Sequence, residues 1–311
     1  MSDWSVRPAG AADAAAVREL TRAAFTGQDE LEPPSGAFRE TVDDIVDDLA
    51  THGGLVAVGP GGSIDGALRW SEHDGALWLR RVAVRPALHG RGVAAQLIEA
   101  GVAEAPRRGY GEVHVGVRRP LVDNQDYWRR RGFEPVAEHG FWLELARPVW
   151  LDVAAPTRDA MHALGRRLAD LARAGDLYVL SGDLGAGKTT LTQGIGERLG
   201  VRGGVTSPTF VIARVHPSLI DHLPLVHVDA YRLGDIAEVD DLDLEASIED
   251  SLTVVEWGEG KVEGLSEDRL EVVVRRSRSA EDETRTVSVR PVGARWVGVD
   301  LVSALAAAPT A

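Results

Sequence analysis

The chain contains no cysteine and only two lysines, Lys188 and Lys261, among its 34 basic residues. Without thiols there is no disulfide scaffold, no cysteine nucleophile and no thiolate metal site. Long apolar runs are also lacking: no window approaches the roughly 18 apolar residues of a membrane span, and no basic-then-apolar leader opens the chain. A soluble cytoplasmic protein is therefore expected. Positive charge is in deficit, with 48 acidic residues giving a net charge of -14. Non-specific grip on nucleic acid comes from Lys and Arg displacing phosphate counterions, so any nucleic-acid role is expected to run through partners.

The 311 residues predict about two domains, and 44% hydrophobic content suffices for two cores. Residues 6–146 alternate helices and strands. A helix over 13–25 carries Val17, Leu20, Ala24 and Phe25 on one stripe; another over 41–50 carries Val42, Ile45, Val46 and Leu49. Asp43, Asp44, Asp47 and Asp48 fall on its other face and read as solvated. Strands at 53–58 and 64–70 form a hairpin around the turn at 59–62. A strand follows at 78–84, then a helix at 90–105. The strand at 112–118 alternates strictly, so one face packs through Val113, Val115 and Val117. The face with Glu112, His114, Gly116 and Arg118 is expected to be free for chemistry. Pro148 and Pro156 bracket a reset in pattern, with Thr157 as N-cap of a helix striped by Met161, Leu164, Leu168 and Leu171. The boundary is placed near Trp150, giving domains 1–149 and 150–311.

After an apolar strand at 177–181 comes Gly182-Asp183-Leu184-Gly185-Ala186-Gly187-Lys188-Thr189, then helix-compatible residues to Leu199. This is G-x-x-x-x-G-K-T in strand-loop-helix context. Glycines let consecutive backbone N–H groups turn toward phosphate oxygens, and the helix N-terminus adds partial positive charge. Lys188 is expected on the β- and γ-phosphates, with the Thr189 hydroxyl on Mg²⁺. Two later strands end in acids, at Asp229 and at Glu256, where groups that hold a metal or orient water are needed. Residues 206–210 lie between and read either as a γ-phosphate-sensing segment or as a plain turn.

Gly182 to Thr190, Ser207-Pro208-Thr209-Phe210, His227-Val228-Asp229-Ala230-Tyr231-Arg232-Leu233 and Glu256-Trp257 resemble, in order and spacing, the TsaE family. The resemblance covers about residues 151–302. It implies a P-loop NTPase α/β domain that hydrolyses Mg-ATP alongside TsaB and TsaD partners. Those partners install threonylcarbamoyl on adenosine 37 of ANN-decoding tRNAs, so contact with tRNA would be indirect. It further implies that Glu256 is a metal ligand with Thr189, that Asp229 is the acid beside the nucleotide, that Trp257 packs beside the site, and that Thr157 and Arg158 lie near the base. At 235–244 the chain departs from the family, with Asp243 where a glycine is common. Arg275, Arg276 and Arg278 read as solvated strand-end charges, with an RNA contact as the alternative. Lys261 has no legible role.

In the first half, His89-Gly90-Arg91-Gly92-Val93-Ala94 opens a helix after the 78–84 strand, and backbone N–H groups there could cradle a pyrophosphate. This stretch, the 112–118 strand and Asn124 to Phe133 resemble the GNAT acetyltransferases over about residues 6–145. That implies a mixed α/β sheet splayed between two strands, with acetyl-CoA in the gap against Val82, Val84, residues 89–94 and Asn124. It also implies an amine that attacks the thioester directly. Two departures stand out. His89 replaces the usual Gln or Arg, and Trp128 stands where the family has a tyrosine that protonates the leaving thiolate. Tyr127, one residue earlier, would point about 100° away on a helix, so either it is recruited as that acid or the step lacks a tyrosine. His114 with Glu112 could act as general base or be paired surface residues. For the whole chain the alternative to two enzymes is a regulator that senses nucleotide and CoA without turning either over.

Overall fold

The computed structural model describes residues 4–26, 32–73, 75–208, 213–232, 249–277, 279 and 282–306. The expectations for Thr209, Phe210, Leu233, residues 235–244 and Arg278 lie outside them. The chain divides into two compact units, 1–105 with 112–149, and 106–111 with 150–311. Among the described residues no helix is long and apolar enough to cross a membrane.

The first unit is a seven-stranded sheet in the order β1-β2-β3-β4-β5-β7-β6. Its strands are β1 (Ser5–Pro8), β2 (Gly54–Val58), β3 (Ile64–His73), β4 (Ala76–Val84), β5 (Glu112–Arg118), β6 (Glu134–His139) and β7 (Trp142–Pro148). The hairpin and both early helices form as expected, α1 over Ala14–Ala24 and α2 over Val42–Thr51. They cover one face, where Ala14, Val17, Leu20, Ile45 and Leu49 pack on Val56, Ala67 and Ala83. Val42 of the expected stripe is exposed, at the first helical position next to the capping box formed by Thr41 and Asp44. The acids of α2 are also not all solvated. Asp48 accepts from Arg69 Nη1 at 2.6 Å, holding a buried arginine of β3.

On the opposite face lies α3 (Val93–Val102), followed by the short α4 (Ala105–Arg108). The helix starts at Val93 and not at residue 90, because Gly90 and Gly92 both take positive φ, 77° and 89°, and hold the chain in a turn. Strands β4 and β5 are parallel but pair only at Leu77 with Val113 and Trp78 with His114. Beyond that point they diverge, and the gap opens into a cavity. The register of β3 on β4 shifts between Ala67 and Arg69, where Arg81 on β4 has a φ of 51°, a bulge beside the gap. The next helix, α5, spans Val122–Arg129.

The second unit has the sheet order β10-β11-β12-β9-β13-β14-β8. Its strands are β8 (Leu151–Ala155), β9 (Leu177–Ser181), β10 (Ala213–His216), β11 (Leu225–Asp229), β12 (Leu252–Glu256), β13 (Arg269–Arg276) and β14 (Arg285–Val292). The four central strands, β11, β12, β9 and β13, are parallel and the flanking pairs antiparallel. Every residue of β9, β11 and β12 is buried, which matches their mostly apolar sequences. One face is covered by α6 (Arg158–Leu171), capped by Thr157 as expected, and α7 (Lys188–Leu199).

The two helices cross at small residues. A Cβ on Gly194 would strike the backbone of His162, and one on Gly165 the backbone around Leu191. Gly194→Val is therefore expected to destabilise the second unit by about 1–3 kcal/mol, a fall of several degrees in its melting temperature by calorimetry. Arg275 is not simply solvated, since its Nη1 donates to Ser288 Oγ at 2.7 Å across the β13–β14 pair.

Candidate functional site

Strands β9, β11 and β12 end in Ser181, Asp229 and Glu256, at the carboxyl edge where open α/β sheets bind ligands. Strand β9 leads directly into residues 182–187 and then α7. Gly182 is required at the exit because its φ is 135° and a Cβ would collide with the Val274 carbonyl. Gly187, with a φ of 114°, turns the chain into α7. The first N–H groups of that twelve-residue helix have no intrahelical acceptor and face the loop.

Register brings the two acids beside this loop. Asp229 pairs with Glu256, and Glu256 with Leu180 at the end of β9. The Thr189 hydroxyl donates to Glu256 Oε2 at 3.1 Å, so the two residues expected to hold a metal are in contact. Their all-oxygen chemistry suits a hard ion such as Mg²⁺, which takes one or two protein oxygens and fills its shell with phosphates and water. Asp229 Oδ2 accepts from Ser207 Oγ at 2.8 Å, and Oδ1 from the Tyr231 backbone N–H at 3.1 Å. The segment at 206–208 is thereby tied to the acid at the end of β11.

Lys188 is 4% exposed, and its ammonium donates to the Gly182 carbonyl at 2.6 Å and to the Asp183 carbonyl at 3.1 Å. Burial pushes its pKa below the ordinary lysine value, while Glu256, Asp229 and Asp183 pull the other way. Its Nζ lies 3.6 Å from the centre of the Trp257 ring. Trp257 holds a φ of 63°, strained for a residue with a Cβ, and its N–H donates to the Leu180 carbonyl. The strained turn aims the indole at the lysine.

Two residues were not legible as part of this arrangement. His227 is fully buried and its Nε2 lies 2.9 Å from Glu256 Oε1, opposite the oxygen that meets Thr189. Within an apolar strand it reads as a core residue; only the parallel register of β11 on β12 brings it to the acid. Lys261, which showed no role, donates to the Ala230 carbonyl at 2.7 Å and so ties the loop after β12 to the end of β11. Thr157 and Arg158 stand at the first turn of α6. Arg158 donates to Gln193 at 3.2 Å, and Met161 of the next turn reaches within 3.3 Å of where a Gly187 Cβ would lie. Asp183, Leu184, Gly185, Ala186 and Thr190 complete the loop and first turn as expected; Leu184 is 83% exposed.

In the first unit, Val82, Val84, His89, Gly90, Gly92, Val93, Ala94, Asn124 and Tyr127 all line one cavity of about 1430 Å³. Arg91 does not join them among the described lining residues; its N–H is bonded to the Leu88 carbonyl at 3.2 Å. Trp128 also lines this cavity, but it is 7% exposed and packs edge-on against Phe133 at 5.0 Å. The neighbouring Tyr127 stands beneath the Arg131 guanidinium, 3.5 Å from its ring centre. Burial raises the Tyr127 pKa, with Arg131 opposing, so the phenol stays protonated. The expectation of a free face on β5 holds only in part: Glu112 and Gly116 are exposed, and Gly116 lines the cavity, but His114 and Arg118 are buried. His114 lies between Glu144 at 2.7 Å and Glu112 at 3.0 Å, and Arg118 donates to the Pro33 carbonyl. Burial works against charge on His114, but the two carboxylates overcome it and raise its pKa above the ordinary value.

A phosphate-type loop between a parallel strand and a helix, facing a hydroxyl, a lysine and strand-end acids, defines the second unit as a P-loop nucleotide-binding unit. Residues 155–287 match the model of the family described as threonylcarbamoyl adenosine biosynthesis protein TsaE, and residues 15–133 that of the acetyltransferase (GNAT) family. The chain is 66% identical over 148 residues to the tRNA threonylcarbamoyladenosine biosynthesis protein TsaE of Streptomyces coelicolor, covering 47% of this chain and 99% of that protein. It is 49% identical over 129 residues to that of Mycobacterium tuberculosis, covering 39% and 76%. The chain belongs to the TsaE family through its second unit, while residues 15–133 of the first unit are similar to the GNAT model. Among solved structures, Bacillus subtilis YdiB is 31% identical, covering 50% of this chain and 94% of that one with a TM-score of 0.41. The PaiA N-acetyltransferase of Thermoplasma acidophilum in complex with coenzyme A is 13% identical, covering 48% and 100% with a TM-score of 0.42.

Proposed function

We propose that the second unit is the ATPase component of tRNA N6-threonylcarbamoyladenosine biosynthesis, acting in the cytoplasm with TsaB- and TsaD-type partners that hold the tRNA. The observation that carries this reading is the contact of Thr189 with Glu256 at the mouth of the loop, with Lys188 beside it. In the proposed mechanism the loop amides and the α7 N-terminus bind the phosphates. Lys188 exchanges the Gly182 and Asp183 carbonyls for phosphate oxygens, an exchange that relieves its desolvation. Thr189 and Glu256 would hold Mg²⁺, which supplies charge neutralisation between the β- and γ-phosphates. Asp229 orients the attacking water, and Ser207 on its other oxygen couples that acid to the 206–208 segment. Trp257 walls the site, and Thr157 with Arg158 flanks the base.

The unit's charge, 17 basic against 26 acidic residues from Leu151 onward, favours docking on proteins over RNA. Slow ATP hydrolysis by the chain alone is expected, rising at least tenfold when TsaB, TsaD and tRNA are added together, as followed by phosphate release. Nucleotide binding with no stimulation by these partners would favour a sensor.

The first unit is proposed to transfer an acetyl group from acetyl-CoA to an amine. The turn and helix start at 89–94 would receive the pyrophosphate, the β4–β5 gap the pantetheine with Val82 and Val84, and Asn124 the cofactor's far side. Tyr127 supplies the proton for the leaving thiolate.

A further inference from the structure

Lys261 is one of only two lysines among 34 basic residues, and the proposed ATP chemistry uses only the other. It stands in the turn that follows Glu256 and Trp257. Its backbone N–H and that of Val262 both donate to the Gly258 carbonyl, at 2.9 and 3.2 Å. Val262 is fully buried in one apolar cluster with Val226, Val228, Ala230 and Val255. Apolar packing therefore seats this turn whether or not the ammonium is present.

The side chain reaches back to the end of β11, where its Nζ donates to the Ala230 carbonyl at 2.7 Å. That oxygen belongs to the same planar peptide group as the Tyr231 N–H. The Tyr231 N–H in turn donates to Asp229 Oδ1 at 3.1 Å. One peptide group is thus held from both ends, by a cation on its oxygen and a carboxylate on its N–H. The cation polarises the group and makes the N–H a stronger donor, and turning the peptide plane would break both bonds together. Asp229 Oδ2 accepts from Ser207 Oγ at 2.8 Å, so each carboxylate oxygen has a donor that sets its direction. The Tyr231 ring also meets Trp257 at 5.1 Å, which ties the same turn to the indole beside Lys188.

We propose that Lys261 is a positioning residue for Asp229, acting through the 230–231 peptide to aim the carboxylate that orients the attacking water. This rests on reading the second unit as an ATPase. Nucleotide affinity rests on the loop and Lys188, so Lys261 acts on turnover and not on binding. A misaimed acid lowers the rate steeply, because displacing a positioning group by about 1 Å costs about 100-fold.

The test uses the full chain with TsaB, TsaD and tRNA, with phosphate release followed long enough to measure slow variants. Calorimetric ATP titration and melting temperature are recorded alongside. Lys261→Met keeps the apolar stem and removes the ammonium; it should lower kcat at least tenfold, with KM and ATP Kd within about twofold of the parent. Lys261→Arg keeps a cationic donor for the carbonyl and should stay within about threefold of the parent. In an Asp229→Asn background, Lys261→Met should cost less than about twofold more, since no carboxylate is left to aim. Should Lys261→Met fail to fold, Lys261→Gln takes its place with the same expectations. Parent-like kcat without the ammonium, an equal loss in Lys261→Arg, a loss confined to KM and Kd, or the full tenfold loss again in the Asp229→Asn background overturns the inference and leaves the ATPase standing. No hydrolysis by the parent chain with its partners overturns the ATPase reading and this inference with it.

Discussion

Lys188→Ala is expected to lose ATP binding, with Kd raised at least about 100-fold, or about 2.7 kcal/mol. The side chain is buried at the loop mouth with its ammonium on two loop carbonyls and an indole across from it. Burial has already lowered its pKa, so the charged form is under-solvated until an anion arrives, and phosphate is the stronger partner for it. Removing the ammonium leaves the loop amides and helix terminus, which suffice to shape the site but lack its one mobile positive charge. Calorimetric titration with ATP measures the loss. Thermal unfolding should change little, because the lost bonds are to loop carbonyls that water can reach. Lys188→Arg is expected to fail as well, since a planar fork replaces a compact ammonium in a space closed by Trp257. Unchanged binding and hydrolysis in Lys188→Ala would contradict the site.

Glu256→Gln should act on the other half of the chemistry. Hydrolysis under saturating nucleotide is expected to fall about 1000-fold, about 4 kcal/mol of barrier, while ATP binding without Mg²⁺ stays within about threefold. The carboxylate meets Thr189 through one oxygen and His227 through the other, so amide substitution keeps the shape and removes the charge a metal needs. His227→Ala should follow in the same direction but less steeply, raising the Mg²⁺ concentration for half-maximal turnover by about 10–100-fold, the usual effect of removing a group that orients a ligand. A Mg²⁺ titration of the three proteins separates the cases. Full activity in Glu256→Gln would move the metal elsewhere.

The loop, its lysine and both strand-end acids were readable because each depends on local order: glycines at fixed spacing, then a helix, and acids closing apolar runs. His227 was not readable, because its partner is 29 residues away and only parallel pairing of β11 on β12 joins them. The two sides of β5 show the same limit. Alternation correctly separated its two faces, but whether the polar face was open depended on β7, which supplies Glu144, and on the Pro33 carbonyl that takes Arg118. Val42 kept helical phase yet stayed in solvent, at the first helical position where the stripe has run past the core that buries Ile45 and Leu49. At Tyr127 and Trp128 the sequence left the choice open. Both residues line the cavity, but Trp128 is 7% exposed and packed on Phe133, while the Tyr127 ring lies under the Arg131 guanidinium.

ATP hydrolysis by this chain is proposed to drive tRNA modification. TsaB, TsaD, a threonylcarbamoyl donor, ATP and an ANN-decoding tRNA can be combined with and without the chain, and modified adenosine counted by mass spectrometry of digested tRNA. Sustained modification is expected only with the chain present and is expected to disappear with Lys188→Ala. Equal modification without the chain, or with the Lys188→Ala protein, would contradict the account.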